Sequence, residues 1–142
     1  MPDEHVSVEQ LLREWPPGYG GVERVAHELA SVWGGVVYSL DVQRQGLKGK
    51  DPLPVAYPRL RLPSARSIGR LHVPLPSRAL WRLLCSSNPL HGHLPSPGVL
   101  LVLVLARLLR RRRKVTAHWH CFLEPGHGLN GRLFALYQWL AL

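Results

Sequence analysis

Residues 6–40, VSVEQLLREWPPGYGGVERVAHELASVWGGVVYSL, decide the fold class of this chain. Residues 6–12 alternate apolar and polar side chains, which predicts a β-strand, with a short helix as the alternative. Residues 15–21 (WPPGYGG) are turn-forming Pro and Gly. The next apolar side chains share the spacing of one helix face, at positions 22, 25, 26, 29, 30 and 33. Because residues 36–40 predict a second strand, the segment forms a βαβ unit.

The rest of the chain continues this alternation of strands and helices. The pattern predicts, in order, a short helix over 77–84, a strand over 90–94, a helix over 97–110, a strand over 115–119 and a final helix from about 129. The helix over 97–110 is apolar on nearly every side, so we expect it to be buried. Residues 44–76 are rich in Pro, Gly and Arg and predict a loop region, with one edge strand near 55–62. We therefore expect one α/β domain over 1–142, a Rossmann-like parallel sheet with helices on both faces.

Composition narrows the class of protein further. Eighteen Lys and Arg against nine Asp and Glu give 18 − 9 = +9, and 46% hydrophobic residues are enough for a core, which excludes a wholly disordered chain. Two cysteines, Cys85 and Cys121, cannot form a disulfide framework and fit a reducing compartment. The longest apolar run, residues 99–106, is too short to span a bilayer. We expect a cytoplasmic protein that is at most peripheral to the membrane.

A glycine-rich turn joins the first predicted strand to the first predicted helix. Backbone amides of such a turn, together with the helix N-terminus, attract phosphate, and glycine lets the backbone approach closely. The glycines fall at 18, 20 and 21, so the turn matches neither the dinucleotide-binding fingerprint nor the P-loop. A purely structural turn before a helix remains the alternative.

Two histidine doublets end predicted strands, His91-Gly92-His93 and His118-Trp119-His120. Residues two apart in a strand point to one face, and open parallel sheets bind ligands at their carboxyl ends. A zinc site with Cys121 and His127 is conceivable, but the spacing matches no zinc signature, so we expect no metal. The open alternatives are structural histidines and a polar ligand pocket, and we expect His93 and His120 to share one cleft with the glycine turn.

A basic run closes the long apolar helix. It consists of Arg110, Arg111, Arg112, Arg113 and Lys114. Nucleic-acid binding, attraction to anionic lipid and simple solvation of a helix end are the three interpretations. The run contains no aromatic residues on which bases could stack, so we favour a membrane surface or a solvated end and regard nucleic acid as unlikely.

Four segments in order resemble the family 4 glycosyltransferases. Their opening Gly-Gly loop and first helix are similar to the segment PPGYGGVERVAHELA, and a strand end of the His-x-His-aromatic-Pro-x-Pro type is similar to LHGHLPSP. A later strand of the family, which ends in His-Trp-His, is similar to KVTAHWHC, and the helix that follows it is similar to GLNGRLFALYQWL. The resemblance implies the N-terminal, acceptor-side domain of a two-domain GT-B fold. Such enzymes transfer a sugar from a nucleotide-sugar donor with retention, without a catalytic metal or a cofactor, to acceptors that include lipid-linked sugars and polysaccharides.

The resemblance also implies roles for individual residues. Gly20 and Gly21 match the glycine pair that approaches the donor diphosphate, His120 matches the histidine beside the transferred sugar, and His93 matches a histidine near the acceptor cleft. The family usually has Ser-Asp after His-Trp-His, where this chain has Cys121 and Phe122. Pro89 also stands where an apolar strand residue is expected.

The second domain of such an enzyme would carry the nucleotide site. The chain holds no counterpart of its paired glutamates, so we expect a fragment, a truncated product or one half of a split enzyme, inactive without a missing or separate C-terminal domain. The alternative function is a non-enzymatic basic module that binds nucleic acid or anionic membrane through residues 110–114.

Overall fold

The computed structural model describes residues 7–14, 20–42, 55–66 and 72–121, together with residues 128, 131, 132, 135, 136 and 139. Its strands are β1 (Glu9–Glu14), β2 (Val37–Val42), β3 (Arg59–Leu62), β4 (Ser64–Arg66), β5 (His72–Pro74), β6 (Leu90–Leu94) and β7 (Val115–Trp119). Its helices are α1 (Gly21–Trp33), α2 (Arg78–Cys85) and α3 (Pro97–Leu109).

Five of the strands form one parallel sheet in the order β3-β2-β1-β6-β7, which confirms the predicted α/β class with a Rossmann-like parallel sheet. The first segment is a strand, as the alternation of its side chains predicted, and the short-helix alternative is wrong for residues 9–14. The edge strand predicted near 55–62 is β3, which begins directly after Pro58 and lies at one edge of the sheet. A proline before an edge strand leaves the ladder intact.

Two apolar cores lie on the two faces of this sheet. Alternate side chains of β1 point to opposite faces, so Leu11 joins the core under α2 and α3 while Leu12 joins the core under α1. Ala26 and Ala30, four residues apart, form the buried stripe of α1. Helix α1 ends at Gly34, whose φ of 65° lies in the left-handed region that glycine adopts without strain.

Helices α2 and α3 begin at serine caps. Ser77 Oγ accepts a hydrogen bond from the backbone N–H of Leu80, and Ser96 Oγ accepts one from the backbone N–H of Val99. The sequence predicted that α3 is a buried helix because it is apolar on nearly every side, and this prediction is wrong. One face of α3 packs on the sheet, and the opposite face leaves apolar side chains in solvent at Leu101, Val104, Leu108 and Leu109.

The interpretation of residues 44–76 as a loop region with one edge strand is too simple. Besides β3, the segment contains β4 and β5, which pair antiparallel as a separate two-stranded sheet. The final predicted helix lies largely outside the described residues; residues 131, 132, 135, 136 and 139 are helical. Among the described residues, no helix has the length and apolarity needed to cross a membrane.

Candidate functional site

The order of the strands reverses at the middle of the sheet. From β1 the chain moves to β2 and β3 on one side and then returns to β6 and β7 on the other side. Open parallel sheets bind ligands in the crevice outside the carboxyl ends of the strands at such a reversal. In this fold the corresponding place is at the carboxyl ends of β1 and β6, beside the start of α1.

Polar side chains line the sheet next to this crevice, on the face that carries α1. The strands place Gln10 of β1, His91 and His93 of β6, and Thr116 and His118 of β7 on this one face, because side chains alternate and the register aligns the three strands. His120 directly follows β7, and its backbone N–H donates to the carbonyl of Leu94. On the opposite face of the same strands, Leu11, Leu90 and Leu94 belong to the apolar core. A polar strip across one face of a parallel sheet is suited to a ligand site.

The four imidazole rings of these residues form one cluster. The rings of His118 and His120 stack with centroids 4.2 Å apart, and those of His93 and His120 stack at 5.1 Å. The ring of His91 lies edge-on to His93 at 5.0 Å and edge-on to Trp33, the last residue of α1, at 5.4 Å. The cluster thus runs from the end of α1 to the carboxyl end of β7.

A chain of hydrogen bonds joins the strands within the cluster. His93 Nε2 lies 2.8 Å from Gln10 Oε1, and His93 Nδ1 lies 2.9 Å from His120 Nε2. At the side, His91 Nδ1 lies 2.8 Å from the hydroxyl of Thr116. The structure therefore brings together the two histidines that the sequence predicted to share a cleft.

Burial and the neighbouring rings favour the neutral form of three of these imidazoles, those of His91, His93 and His120. Burial, and then the neighbouring imidazoles, lower the pKa of His93 to about 3. The pKa values of His91 and His120 are also lowered, first by burial and then by the other rings of the cluster. A neutral imidazole offers one N–H donor and one lone pair, so the cluster can donate to and accept from a polar ligand at neutral pH.

The glycine pair lies at the N-terminus of α1, after β1 and therefore at the same edge of the sheet. Gly20 is the N-cap and Gly21 the first helical residue. The carboxylate of the buried Glu23 folds back against Gly20, where the Cβ of any other residue would collide with it. Glycine at 20 thus makes room for a side chain of its own helix, and the negative charge lies where the sequence predicted a phosphate.

The basic run does not form one continuous surface. Arg110, Arg111, Arg112 and Lys114 are exposed, whereas Arg113 is 4% exposed. The prediction that Arg113 belongs to a membrane surface is therefore wrong, because its guanidinium is needed inside the fold.

Arg113 closes the end of the sheet opposite the histidines. Its Nη2 donates to Glu9 Oε2 at 2.6 Å, its Nε to the carbonyl of Asn88 at 2.6 Å and its Nη1 to the carbonyl of Leu83 at 2.6 Å. Ser86 Oγ donates to the other carboxylate oxygen of Glu9 at 3.0 Å. One buried side chain thus connects β1 with the end of α2 and with the segment before β6.

No arrangement that could hold a metal ion is found among the described residues. They contain no group of three or more His, Cys, Asp and Glu side chains with suitable geometry. Cys121, a conceivable zinc ligand by sequence, is exposed, and His127 lies outside the described residues.

Sequence reasoning missed Gln10 and Thr116, and it assigned no role to Glu23 beside the glycine turn. Gln10 is fully buried beneath the cluster. Its position next to Leu11 and Leu12 in the central strand was the available signal, because a polar residue at a core position requires a partner.

Comparison of the chain with models of known protein families, with curated proteins and with solved structures finds no match.

Proposed function

We propose that this chain is the acceptor-side half of a retaining glycosyltransferase of the family 4 type, with His120 beside the transferred sugar. The observation that supports the proposal best is the hydrogen-bonded His93–His120 pair at the carboxyl edge of the sheet, next to the reversal of strand order. Neutral imidazoles are suited to the hydroxyl groups of a sugar, because each can donate and accept one hydrogen bond.

The proposed reaction moves a sugar from a nucleotide-sugar donor to a lipid-linked or polysaccharide acceptor. Such a cleft closes between two domains, and catalysis depends on fixing both substrates in one geometry. The proposal therefore requires a second glycosyltransferase domain, on the same polypeptide or on a separate one, and the chain alone should not transfer sugar.

Sugar transfer is tested with the 142-residue chain combined with the second domain encoded downstream or separately. A panel of nucleotide sugars is assayed for transfer and for slow donor hydrolysis. His120→Ala should lower turnover by roughly 100-fold or more, the scale of a group that contacts the reacting sugar. The matched control is His27→Ala, which removes an imidazole of α1 that hydrogen-bonds Tyr57. Equal activity of the two variants would contradict the role of His120.

Within this proposal, Gly20 and Gly21 approach the donor diphosphate, and the position of the Glu23 carboxylate controls whether the diphosphate can bind there. A diphosphate at this helix end requires the carboxylate of Glu23 to move away or to lose its charge. Glu23→Gln should therefore tighten binding of inorganic pyrophosphate by roughly two- to fivefold, since one charge at a helix end is worth about 0.3–1 kcal/mol. Glu28→Gln, an exposed glutamate of the same helix, is the control. Unchanged or weaker binding by Glu23→Gln would argue against a phosphate at this turn.

A second candidate function is attachment to an anionic membrane, either alone or as part of the glycosyltransferase. The observation that favours it is the outward face of α2 and α3. Leu101, Val104 and Leu108 form an exposed stripe along α3, and Trp81 of α2 is 66% exposed. Exposed arginines accompany these side chains at positions 78, 82, 107, 110, 111 and 112.

The charge of this part of the chain fits an anionic bilayer. Residues 52–123 contain twelve Lys and Arg and no Asp or Glu. Basic residues near such a surface contribute about 1 kcal/mol each, and exposed Trp and Leu side chains gain from leaving water. Most apolar side chains of this face are aliphatic, and Trp81 is its one described exposed ring on which a base could stack, so this face favours lipid over nucleic acid. The membrane contact predicted for residues 110–114 thereby becomes a wider surface that excludes Arg113.

Vesicle sedimentation tests the membrane candidate. The chain should bind vesicles that contain anionic phosphatidylglycerol and not vesicles of phosphatidylcholine alone, and added salt should weaken the binding. Leu108→Glu should reduce binding at least tenfold. Val32→Glu is the matched control, because Val32 is an 82% exposed apolar residue of α1, the helix that packs on the other face of the sheet. An equal loss in both variants would refute the surface.

A further inference from the structure

Gln10 is a polar side chain buried in the middle strand of the sheet. It is 0% exposed, and its neighbours along β1 on the two faces, Leu11 and Leu12, belong to the two apolar cores. Burying an amide costs free energy unless it forms hydrogen bonds, so a leucine of similar volume would serve the core better. The bond to His93 Nε2 gives the amide oxygen of Gln10 a partner, while Gln10 Nε2 has none among the described residues, so the residue serves the core poorly and its one bond points to a role in the site.

The orientation of the Gln10 amide, with Oε1 rather than its NH2 group toward His93, sets the position of a proton on His93. Because an amide oxygen accepts hydrogen bonds and cannot donate them, Nε2 of His93 carries the proton in this orientation. The lowered pKa of His93, which follows from burial among His91, His118 and His120, keeps its ring neutral above about pH 3. The other nitrogen of His93, Nδ1, therefore holds a lone pair and accepts.

The proton position on His93 in turn determines the proton position on His120. Nδ1 of His93 accepts, and it lies 2.9 Å from Nε2 of His120, so His120 must donate from Nε2. When the His120 ring is neutral, its remaining nitrogen, Nδ1, then bears a lone pair. A buried amide in the central strand thus selects the tautomer of a histidine two strands away.

We propose that Gln10 and His93 are positioning residues that hold His120 in its Nε2–H tautomer, so that Nδ1 of His120 presents a lone pair to an O–H or N–H donor of the ligand. The catalytic meaning of this arrangement rests on the proposed glycosyltransferase function, whereas the tautomer itself is a property of the free protein. The polarity it gives to the site favours a ligand hydroxyl at His120 over a phosphate oxygen, which can only accept.

The tautomers are measured by two-bond ¹H–¹⁵N correlation spectra of the full chain labelled with ¹⁵N-histidine, at pH 7.5. His93→Asn and His120→Asn assign the signals. In the wild-type protein we expect pyrrole-like Nε2 and pyridine-like Nδ1 shifts for both rings. Gln10→Leu removes the acceptor and should shift the ratio of the two His120 tautomers about fivefold toward Nδ1–H, the factor that corresponds to one hydrogen bond of about 1 kcal/mol.

A further variant separates positioning from a structural effect. Ser39→Ala removes a different buried polar group, from the neighbouring strand β2, and should leave the His120 signals unchanged. A wild-type His120 that carries its proton on Nδ1 would overturn the proposal, because the amide of Gln10 would then be donating. The expected tautomers in a protein that never transfers sugar would instead refute the proposed function and leave the positioning intact.

Discussion

Replacing Arg113 with alanine should destabilise the protein far more than replacing its neighbour Arg112. The Arg113 side chain is fully buried, and it neutralises the Glu9 carboxylate while binding the carbonyls of Leu83 and Asn88. Removing one partner of a buried ion pair leaves the other charge uncompensated and costs about 3–5 kcal/mol. For a chain of this length, that loss corresponds to a fall in the unfolding temperature of roughly 6–20 °C.

The measurement is urea unfolding followed by far-ultraviolet circular dichroism, with the transition midpoint compared at a constant slope. Arg112→Ala is the matched control, because Arg112 is exposed and its loss should change the free energy of unfolding by less than about 0.5 kcal/mol. In a Glu9→Gln background no carboxylate is stranded, so Arg113→Ala should cost at least about 1 kcal/mol less. Equal effects of the two alanine variants, or an unchanged cost in that background, would refute the reasoning.

Three further predictions concern the acid stability of the protein and three of its glycines. In the folded protein the pKa of His93 is lowered to about 3, against 6.5 for a free side chain, so the neutral buried ring contributes stability that is complete above pH 6.5 and is lost as the pH falls toward 3. This loss of stability reaches about 2 kcal/mol by pH 5. Urea unfolding at pH 7 and pH 5 should show a smaller loss in His93→Asn than in the wild-type protein, and equal losses would contradict the prediction. Gly20→Ala should be only modestly destabilising, because its Cβ displaces the flexible end of the Glu23 side chain, whereas Gly21→Ala meets open space and should be neutral or stabilising by up to about 1 kcal/mol. Thermal melts that rank the two variants in reverse would count against the packing described. Gly98→Ala should lower the melting temperature strongly, since its Cβ would meet a backbone carbonyl of β5, and an unchanged melt would show that this contact is absent.

The sequence predicted best the elements whose pattern is local. The apolar spacing along α1 and its terminating Gly34 located that helix, and Ser77 located the start of α2. The apolar run of α3 predicted a helix correctly and its burial wrongly. A run that is apolar on every side carries no information on which side faces the sheet, and exposure is set by the layers that tertiary packing supplies.

Features that depend on strand order could not be predicted from the chain. Gln10 and His93 are 83 residues apart and meet because β6 returns to lie beside β1. Arg113 looked like its four basic neighbours in sequence, yet the turn before β7 directs it inward to Glu9. The β4–β5 pair was missed because strands of three residues, rich in Pro and Arg, carry almost no periodic signal.

Strand β1 contributes one residue to the Glu9–Arg113 ion pair and the next residue to the histidine cluster. Glu9 and Gln10 are adjacent in β1, and the alternation of side chains sends Glu9 to the face of α2 and α3 and Gln10 to the face of α1. The first binds Arg113 and closes the sheet where β1 begins, while the second fixes His93 and, through it, His120 near the carboxyl edge. The two networks share no side chain and lie on opposite faces of the sheet. The Glu9–Arg113 ion pair therefore holds β1 to the segments before β6 and β7 through groups that are separate from the histidines, and under the proposed function only the histidine network contacts the ligand.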